Sequence, residues 1–265
     1  ALPGVPYGEM EGEPKMAIGY MRFSNSTSEA ALNCDYIMRQ GKYQKKGEED
    51  LVQCGSVNFP TWAKDAKDFW KTADKFEKGN KAKKAIIALP RELSHEEMVD
   101  LSLQTINKLF PNRAVTWAIH ENEGSLGGGK NPHLHLLICE RVIEQNRPEP
   151  NREYYFKKSR TLKNGNISGG FRKDPEMGRK NWSSKKKGEW ERLANDYLKN
   201  KGLDVKINMK GSAQKNVGHI GPKVISMAAH GKEQIKVQAF LDAKIKVVKE
   251  EAIKNADKKT VELTA

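Results

Sequence analysis

Two apolar segments separated by a glycine-rich segment constrain the fold of this chain more than any other feature. The apolar segments are AVTWAIH (114–120) and HLHLLICERV (133–142), and ENEGSLGGGKNP lies between them. Both have the length and the β-branched or aromatic content of a strand, and a glycine-rich connection is typical of a hairpin. The sequence therefore predicts two adjacent antiparallel strands joined by a long loop.

Segments with helical and strand-like patterns precede this hairpin. Residues 62–79 place aromatic residues and alanines on one helical face and charged residues on the other. KAIIALP (84–90) predicts a buried strand, and Ser94 followed by Glu97 is a capping box that opens a helix. Since strands alternate with helices and one hairpin is present, we expect an α/β chain. It would be an α+β sandwich in which helices flank a central antiparallel or mixed five-stranded sheet.

The first residues differ in composition from the rest of the chain. Residues 1–15 are rich in Pro, Gly and Glu, and we interpret them as a disordered leader or an expression remnant that precedes a native start at Met16. A strand is expected from Met16 to Phe23. A helix is expected after it, with Thr27 or Ser28 as its N-cap.

One main domain is expected over 16–231, followed by a charged helix and tail over 232–265. The three cysteines form no C-x-x-C pair, which argues against a disulfide framework and against a thiolate zinc site. No apolar run has the length of a membrane span, and no segment has the layout of a signal peptide. Glycine-rich nucleotide-binding motifs are also absent from the sequence. These observations favour a protein of a reducing cytoplasm without membrane insertion.

Positive charge is the strongest compositional signal. The chain has 47 Lys and Arg against 34 Asp and Glu, a net charge of +13. Residues 152–187 alone carry twelve Lys or Arg against three acids. Such a field attracts polyanions, so nucleic acid is the expected partner. The alternative for the basic segment is a solvated, flexible loop.

Three histidines lie close together at the ends of the two predicted hairpin strands. His133 and His135 are two residues apart, so their side chains lie on the same face of a strand. The hairpin would bring His120 beside them. Three neutral imidazoles suit Mn, Co, Ni, Cu or Zn better than Mg and leave positions open for a substrate oxygen. An incidental strand-end pair is the alternative, but the clustering of three histidines favours an open metal site.

These residues resemble a known family. HENEGSLGGGKNPHLHLLICER resembles the third motif of HUH-type relaxases, specifically that of the MobA/MobL mobilisation proteins of IncQ-type plasmids. CDYIMRQGKY, IALPRELS and GHIGP also resemble segments of that family, in the same order, and the resemblance covers about 16–226. KINMKG, with Asn208, departs from the family pattern at a position that we expect to be structural.

The resemblance implies an HUH relaxase-like fold and nicking of one DNA strand at a plasmid transfer origin. Tyr36 would be the nucleophile, forming a 5′-phosphotyrosyl intermediate that is later religated. His120, His133 and His135 would hold a divalent metal, Mn²⁺ or Mg²⁺. Glu92 would either orient a ligand histidine or accept the proton of Tyr36, and both roles stay open. The structural alternatives are a packed helix aromatic for Tyr36 and a helix-start acid for Glu92.

The resemblance also implies partners and a location. The expected partners are single-stranded or supercoiled DNA at a transfer origin, accessory mobilisation proteins and a type IV secretion and coupling system. The expected location is the bacterial cytoplasm, with transfer to the recipient cell attached to DNA. The basic segment would bind the single strand, because cations neutralise phosphates and aromatic faces stack on bases. The candidate contacts are Lys157, Lys158, Arg160, Arg172, Lys173, Arg179, Lys180 and Trp182, with Tyr155 and Phe156 as further stacking faces. The alternative for the aromatic residues is packing in the core, which we expect least for Trp182 because of its lysine-rich flank.

Two other functions fit the same residues. One is an HUH replication initiator, which would use the same chemistry at a replication origin. The other is a non-catalytic basic module that binds single-stranded DNA and uses its histidines structurally. IALPRELS and GHIGP favour the mobilisation proteins.

Overall fold

The computed structural model describes residues 15–17, 19–45, 50–123 and 129–209, together with residues 238 and 242. The chain divides into two compact units, and the first comprises residues 1–122 and 130–209. The described residues of the second unit are Glu123, Gly129, Gln238 and Asp242; the Gln238 side chain donates a hydrogen bond of 2.9 Å to Asp242.

Nine strands and four α-helices lie wholly within the described residues. The strands are β1 Lys15–Ala17, β2 Met21–Ser26, β3 Leu51–Val57, β4 Ala82–Ala88, β5 Val115–Glu123, β6 Lys130–Ile138, β7 Arg160–Thr161, β8 Ile167–Ser168 and β9 Val205–Ile207. The helices are α1 Ala30–Ile37, α2 Ala66–Phe76, α3 His95–Leu109 and α4 Trp182–Asn200, with short 3₁₀ turns at Gly41–Tyr43 and Pro175–Gly178. In this part of the chain no helix is long and apolar enough to cross a membrane.

The central sheet confirms the predicted fold class. Its five antiparallel strands lie in the order β2-β4-β6-β5-β3, so the two strands of the predicted hairpin, β5 and β6, are neighbours. β1 and β9 form a separate parallel pair, and β7 and β8 form a small antiparallel pair. The inner position of β5 and β6 explains their nearly continuous apolar sequence, because both faces of these strands are covered.

Side-chain alternation along β6 divides the core into two layers. Leu134 and Leu136 lie in a buried cluster with residues of α3 and α4. Leu137 and Cys139 lie in a second cluster with residues of α1 and α2. His135 shares the parity of this second set, so it points toward the layer that contains α1.

The N-terminus of α1 corrects a predicted cap. Glu29, with φ +57°, occupies the N-cap position and makes no side-chain cap hydrogen bond. The carboxylate of Asp74 in α2 instead accepts hydrogen bonds from the backbone N–H groups of Ala30 and Ala31 at 2.8 and 2.9 Å. Prediction of Thr27 or Ser28 as the cap was therefore wrong, because a residue from the neighbouring helix supplies the acceptor. The capping box of Ser94 and Glu97 is confirmed.

The predicted strand 16–23 is interrupted at Gly19. β1 ends at Ala17 and β2 begins at Met21. A Cβ on Gly19 would lie 2.5 Å from the carbonyl oxygen of Asn208, so only glycine allows this close approach. β3, which the sequence analysis did not predict, forms the edge of the sheet beside β5.

Several predictions concern residues outside the described ranges. They are residues 1–14 of the predicted disordered leader 1–15, the GHIGP segment (218–222) and most of the helix and tail 232–265, of which residues 238 and 242 are described as helical. Lys15, the last residue of that predicted leader, instead lies in β1 and pairs with Val205 of β9. The domain boundaries 16–231 and 232–265 stay predictions.

Candidate metal and nucleophile site

The three predicted histidines form one cluster on the sheet. β5 supplies His120, and β6 supplies His133 and His135, which pair in register with Ala88 and Ile86 of β4. Each histidine offers one ring nitrogen, and these nitrogens all lie within 4.8 Å of one another. The ring centroids of His120 and His135 are 4.5 Å apart, and those of His133 and His135 are 4.9 Å apart.

Burial keeps the three imidazoles neutral. Burial lowers the pKa of His120 to about 4, the Ile37 carbonyl opposes that shift, and the Arg39 charge adds to it. Burial also lowers the pKa of His133. The pKa of His135 lies well below its ordinary value because of burial and of the neighbouring histidines and Arg39. At neutral pH each ring therefore offers a lone pair, the form that binds metals.

Backbone carbonyls orient two of the rings. His120 Nε2 lies 2.7 Å from the carbonyl oxygen of Ile37, at the end of α1. His133 Nδ1 lies 2.8 Å from the carbonyl oxygen of Asn131. A carbonyl only accepts, so each of these nitrogens carries the hydrogen and the opposite nitrogen carries the lone pair. Carbonyl partners of this kind fix the tautomer of metal-binding histidines.

The donor set fits one divalent ion. Three convergent neutral imidazoles leave further coordination positions open, as in a catalytic site. Among the described residues, these three histidines form the group of potential ligands that lie close enough together to hold an ion. Cys139 is fully buried among α1 and α2 residues, and burial raises the pKa of its thiol to about 12.

Tyr36 lies beside the cluster. It is in α1, and its side chain is 39% exposed although Cys34 and Ile37 of the same helix are buried. Its ring lies edge-on to His135, with centroids 6.3 Å apart, and edge-on to Tyr43 at 5.3 Å. The structure thus brings together Tyr36 and the histidines, which are separated by more than eighty residues in the sequence.

An arginine and an aspartate that sequence reasoning missed complete this site. Arg39 donates to both carboxylate oxygens of Asp50 at 2.8 and 2.5 Å, and its Cζ lies 4.7 Å from the centre of the Tyr36 ring. Burial alone would raise the pKa of Asp50. The hydrogen bonds and charge of Arg39 have the opposite and larger effect, so the pKa lies below its ordinary value. Asp50 immediately precedes Leu51, which pairs with His120 across β3 and β5. Only this pairing shows that Asp50 is near the histidines, and β3 itself was not predicted.

Comparison with known proteins assigns the family. The model of the MobA/MobL family matches residues 26–234, which is most of the chain. The chain belongs to the MobA/MobL family. The predicted membership of the MobA/MobL family is therefore confirmed.

Curated relatives of this MobA/MobL chain are longer than the chain itself. It is 36% identical over 136 residues to the 43 kDa relaxation protein of Salmonella typhimurium, which covers 50% of this chain and 36% of that protein. It is 30% identical over 214 residues to Mobilization protein A of Escherichia coli, which covers 76% of this chain and 28% of that protein. The chain spans about a third of the length of these relatives.

A solved structure also resembles the chain. It comes from a study of the molecular basis of vancomycin resistance transfer in Staphylococcus aureus. The two structures have a TM-score of 0.49 and 17% sequence identity. The matched region covers 72% of this chain and 99% of the solved one.

Glu92 of this MobA/MobL chain shares a pocket with Ala88, which pairs with His133 across β4 and β6. It is exposed in the turn that follows β4, and it lines a small pocket of about 120 Å³ with Pro90 and Asn131. Asn131 is the residue whose carbonyl orients His133. The carbonyls of Ile37 and Asn131, rather than the Glu92 carboxylate, hold the rings in this structure.

Part of the basic segment lines a cavity of about 870 Å³, which we call the basic groove. Lys157, Lys158, Arg160 and Arg172 are exposed residues of its wall. Tyr154, which sequence reasoning did not select, is 43% exposed in the same wall, and Lys157 Nζ lies 3.8 Å from the centre of its ring. Exposed aromatic rings amid cations are common in surfaces that bind single-stranded nucleic acid.

A buried arginine holds the backbone of the basic groove. Arg141 forms an ion pair with Glu77, and both side chains are 4% exposed. The same guanidinium donates to the backbone carbonyls of Phe156, Lys157 and Phe171. The backbone of the groove wall is therefore held at Phe156, Lys157 and Phe171.

The prediction that three aromatic residues of the basic segment offer stacking faces was wrong, because all three are buried. Trp182 is 6% exposed and packs on Phe23, with ring centroids 4.6 Å apart. Tyr155 and Phe156 are 1% and 2% exposed in the cluster with α1 and α2. These rings stabilise the core and cannot stack on a base as packed. The lysine-rich flank of Trp182 hid its helical position at the start of α4.

The remaining basic candidates differ in their surroundings. Lys173 lines the basic groove but interacts with Glu77 at 3.4 Å and Glu140 at 3.5 Å, so acidic groups already compensate its charge. Arg179 pairs with Glu176 and lines a different pocket, and Lys180 is exposed beside it. The structure therefore brings Lys157, Lys158, Arg160 and Arg172 together and leaves Arg179 and Lys180 apart from them.

Proposed function

We propose that this chain nicks one DNA strand at a plasmid transfer origin, with Tyr36 as nucleophile, and later rejoins it. The observation that supports this most is the packing of the Tyr36 ring against His135 of the three-histidine cluster. A hydroxyl nucleophile beside convergent metal ligands suits phosphoryl transfer, because that reaction depends on positioning and on compensating charge.

The reaction follows from the chemistry of Tyr36. Its phenol oxygen attacks the phosphorus, the P–O bond to the 3′-oxygen breaks, and a proton moves to that oxygen. The products are a 5′-phosphotyrosyl adduct and a free 3′-hydroxyl. The new phosphodiester keeps the strand ready for religation, which is the reverse attack by a 3′-hydroxyl. A phenol is mostly protonated at neutral pH, so a base must accept its proton.

The three histidines would hold the divalent ion, Mn²⁺ or Mg²⁺. When bound, that ion would supply positive charge to the scissile phosphate and help to fix it for attack. His120 and His133 are already oriented by Ile37 and Asn131. Such orientation before binding lowers the entropic cost of assembling the site.

Glu92 keeps two proposed roles. Its position beside Asn131, at the start of β6, supports a role in orienting His133. Its exposure to solvent is compatible with accepting a proton from Tyr36 once DNA is bound.

The basic groove would bind the single-stranded part of the origin. Lys157, Lys158, Arg160 and Arg172 would neutralise phosphates, and the exposed face of Tyr154 would stack on a base. We further propose that Arg179 and Lys180 extend this contact along the surface.

The biological role proposed is plasmid mobilisation. Relatives named for relaxation and mobilisation support it. The proposed partners are DNA at the transfer origin, accessory mobilisation proteins and a type IV secretion and coupling system. The protein would act in the bacterial cytoplasm and travel to the recipient cell attached to DNA.

Nicking of supercoiled plasmids tests the proposal directly. Plasmids that carry candidate transfer origins are incubated with the chain and Mn²⁺ or Mg²⁺, and the nick is mapped by primer extension. One nick at one position in one strand, lost in the absence of divalent ions, is expected. A nick at a replication origin instead would identify a replication initiator. DNA binding without nicking at any origin would favour a non-catalytic binding module.

A further inference from the structure

A buried guanidinium joins the tyrosine helix to the histidine cluster. Arg39 is 7% exposed and has a left-handed backbone, with φ +53°. Asp50 holds its Nε and Nη2, while its Nη1 donates to the carbonyl of Tyr36 at 2.9 Å. A left-handed backbone at a non-glycine residue and a buried charge both cost free energy. The hydrogen bonds to Asp50 and to the Tyr36 carbonyl offset this cost and fix the position of the guanidinium.

The same guanidinium contacts His120. Arg39 Nη2 lies 3.2 Å from His120 Nδ1. Arginine has only donors, so Nδ1 must present its lone pair. At the other side of the ring, Nε2 must donate to the Ile37 carbonyl. Both contacts select the same neutral tautomer, and Arg39 covers the lone pair that His120 would offer to a metal.

Arg39 and Asp50 are each close in the chain to one part of the site. Arg39 lies three residues after Tyr36, and Asp50 lies one residue before the β3–β5 pair of Leu51 and His120. The nucleophile and the metal ligand thus share one ion pair. Neither Arg39 nor Asp50 is used by the reaction as proposed above.

We propose that Arg39 is a positioning residue whose guanidinium competes with the divalent ion for Nδ1 of His120 while it holds the ring of Tyr36. This inference rests on the proposed function, because it takes the histidine cluster as the metal site. A lone pair serves one partner at a time, so binding of the ion through Nδ1 releases Arg39 from His120. Asp50 and the Tyr36 carbonyl then retain the guanidinium. Binding of the ion is therefore coupled to the contacts that Arg39 makes with Tyr36, the proposed nucleophile.

Calorimetric titration with Mn²⁺ tests the competition. Arg39→Met removes the competing donor, so we expect about tenfold tighter Mn²⁺ binding, the size of one hydrogen bond to a charged group. Arg39→Lys keeps a positive charge beside Asp50 but lacks the fork that reaches both partners, so it should also bind Mn²⁺ more tightly. Tighter binding in the Met variant alone would assign the effect to lost charge and overturn the proposal.

Arg113→Met is the matched control. Arg113 is 8% exposed and pairs with Asp174 at 2.5 Å, as Arg39 pairs with Asp50, but it lies before the other end of β5. Its loss should leave the Mn²⁺ affinity unchanged.

In nicking assays, Arg39→Met should lower kcat at least tenfold with little change in KM for DNA. Weaker Mn²⁺ binding in Arg39→Met, or equal affinities in all variants, would overturn the proposal.

The tautomer of His120 gives a readout without metal. In ¹⁵N-edited NMR of the metal-free chain, His120 should carry its proton on Nε2, and its Nδ1 resonance should move in Arg39→Met and Arg39→Lys but not in Arg113→Met. A proton on Nδ1 in the wild-type chain would refute the inference even if the Met variant failed to fold. If the wild-type chain bound no Mn²⁺, the metal site and this inference would both fall. If it bound Mn²⁺ with the same affinity in the Arg39 variants, only this inference would fall.

Discussion

The carboxylate of Asp74 caps a helix that begins forty-four residues earlier, through a hydrogen bond of 2.8 Å from the backbone N–H of Ala30. Its second oxygen accepts from Ala31 at 2.9 Å. Two of the free N–H groups at the start of α1 are satisfied in this way, and the negative charge lies at the positive end of the helix dipole. Since α1 carries Tyr36, a residue of α2 helps to fix the proposed nucleophile.

Asp74→Ala should therefore destabilise the chain by about 1–2 kcal/mol, the usual size of a lost N-cap. Thermal unfolding should show a lower midpoint, and nicking should slow because α1 is less well held over the sheet. Asp74→Asn is the matched control, because its amide oxygen still accepts one hydrogen bond, and it should lose less than half as much. Equal stability of the Ala variant and the wild type would mean that water replaces the carboxylate without cost.

The proposed metal ligands give a second prediction. His133→Ala removes one of three imidazoles, and we expect Mn²⁺ affinity to fall at least about 100-fold, since even the partners of ligands contribute 10–100-fold. Nicking should be abolished while thermal stability changes by less than about 1 kcal/mol. His95→Ala, at an exposed position beside Glu121, is the control and should retain Mn²⁺ binding. A metal-bound structure with Cys139 as a ligand would refute the assignment.

The hairpin and the histidines could be predicted because local patterns determine them. Strand periodicity places His133 and His135 on one face, and the glycine-rich loop returns the chain so that His120 lies beside them. The capping box of α3 is equally local. Each depends on residues that are close in the sequence.

The contacts that hold Tyr36 could not be predicted in the same way. Asp74 and Asp50 reach α1 and Arg39 only after the chain has folded back, and neither lies in a recognisable motif. The prediction for Trp182 was wrong for a related reason, because lysines surround it in the sequence while its own ring, at the start of α4, packs on Phe23. Pairing across a sheet or between helices is a tertiary property that overrides local composition.

The basic groove gives a third prediction. Replacing Lys157, Lys158 and Arg160 by Ala should weaken binding of a single-stranded oligonucleotide and reduce its salt dependence by about two units of slope, at roughly 0.7 per neutralised phosphate. Fluorescence anisotropy at several salt concentrations measures both quantities. The matched control replaces the exposed Lys108, Lys199 and Lys206, which lie on α3, α4 and β9. An equal loss of slope in the control would assign binding to net charge rather than to the groove.

The last prediction concerns the nucleophile. Tyr36→Phe removes only the hydroxyl and keeps the ring contacts with His135, Tyr43 and Arg39, so the variant should fold, bind Mn²⁺ and bind DNA. An origin oligonucleotide labelled on the portion that lies 3′ of the nick should leave its label covalently on the wild-type chain, because the tyrosyl oxygen replaces the 3′-oxygen on phosphorus. Gel electrophoresis under denaturing conditions should show this adduct for the wild type and none for the variant. Tyr43→Phe is the control for a neighbouring phenol and should form the adduct normally. Normal nicking by Tyr36→Phe, with an adduct on Tyr43 or with none, would show that Tyr43 or water attacks the phosphate instead.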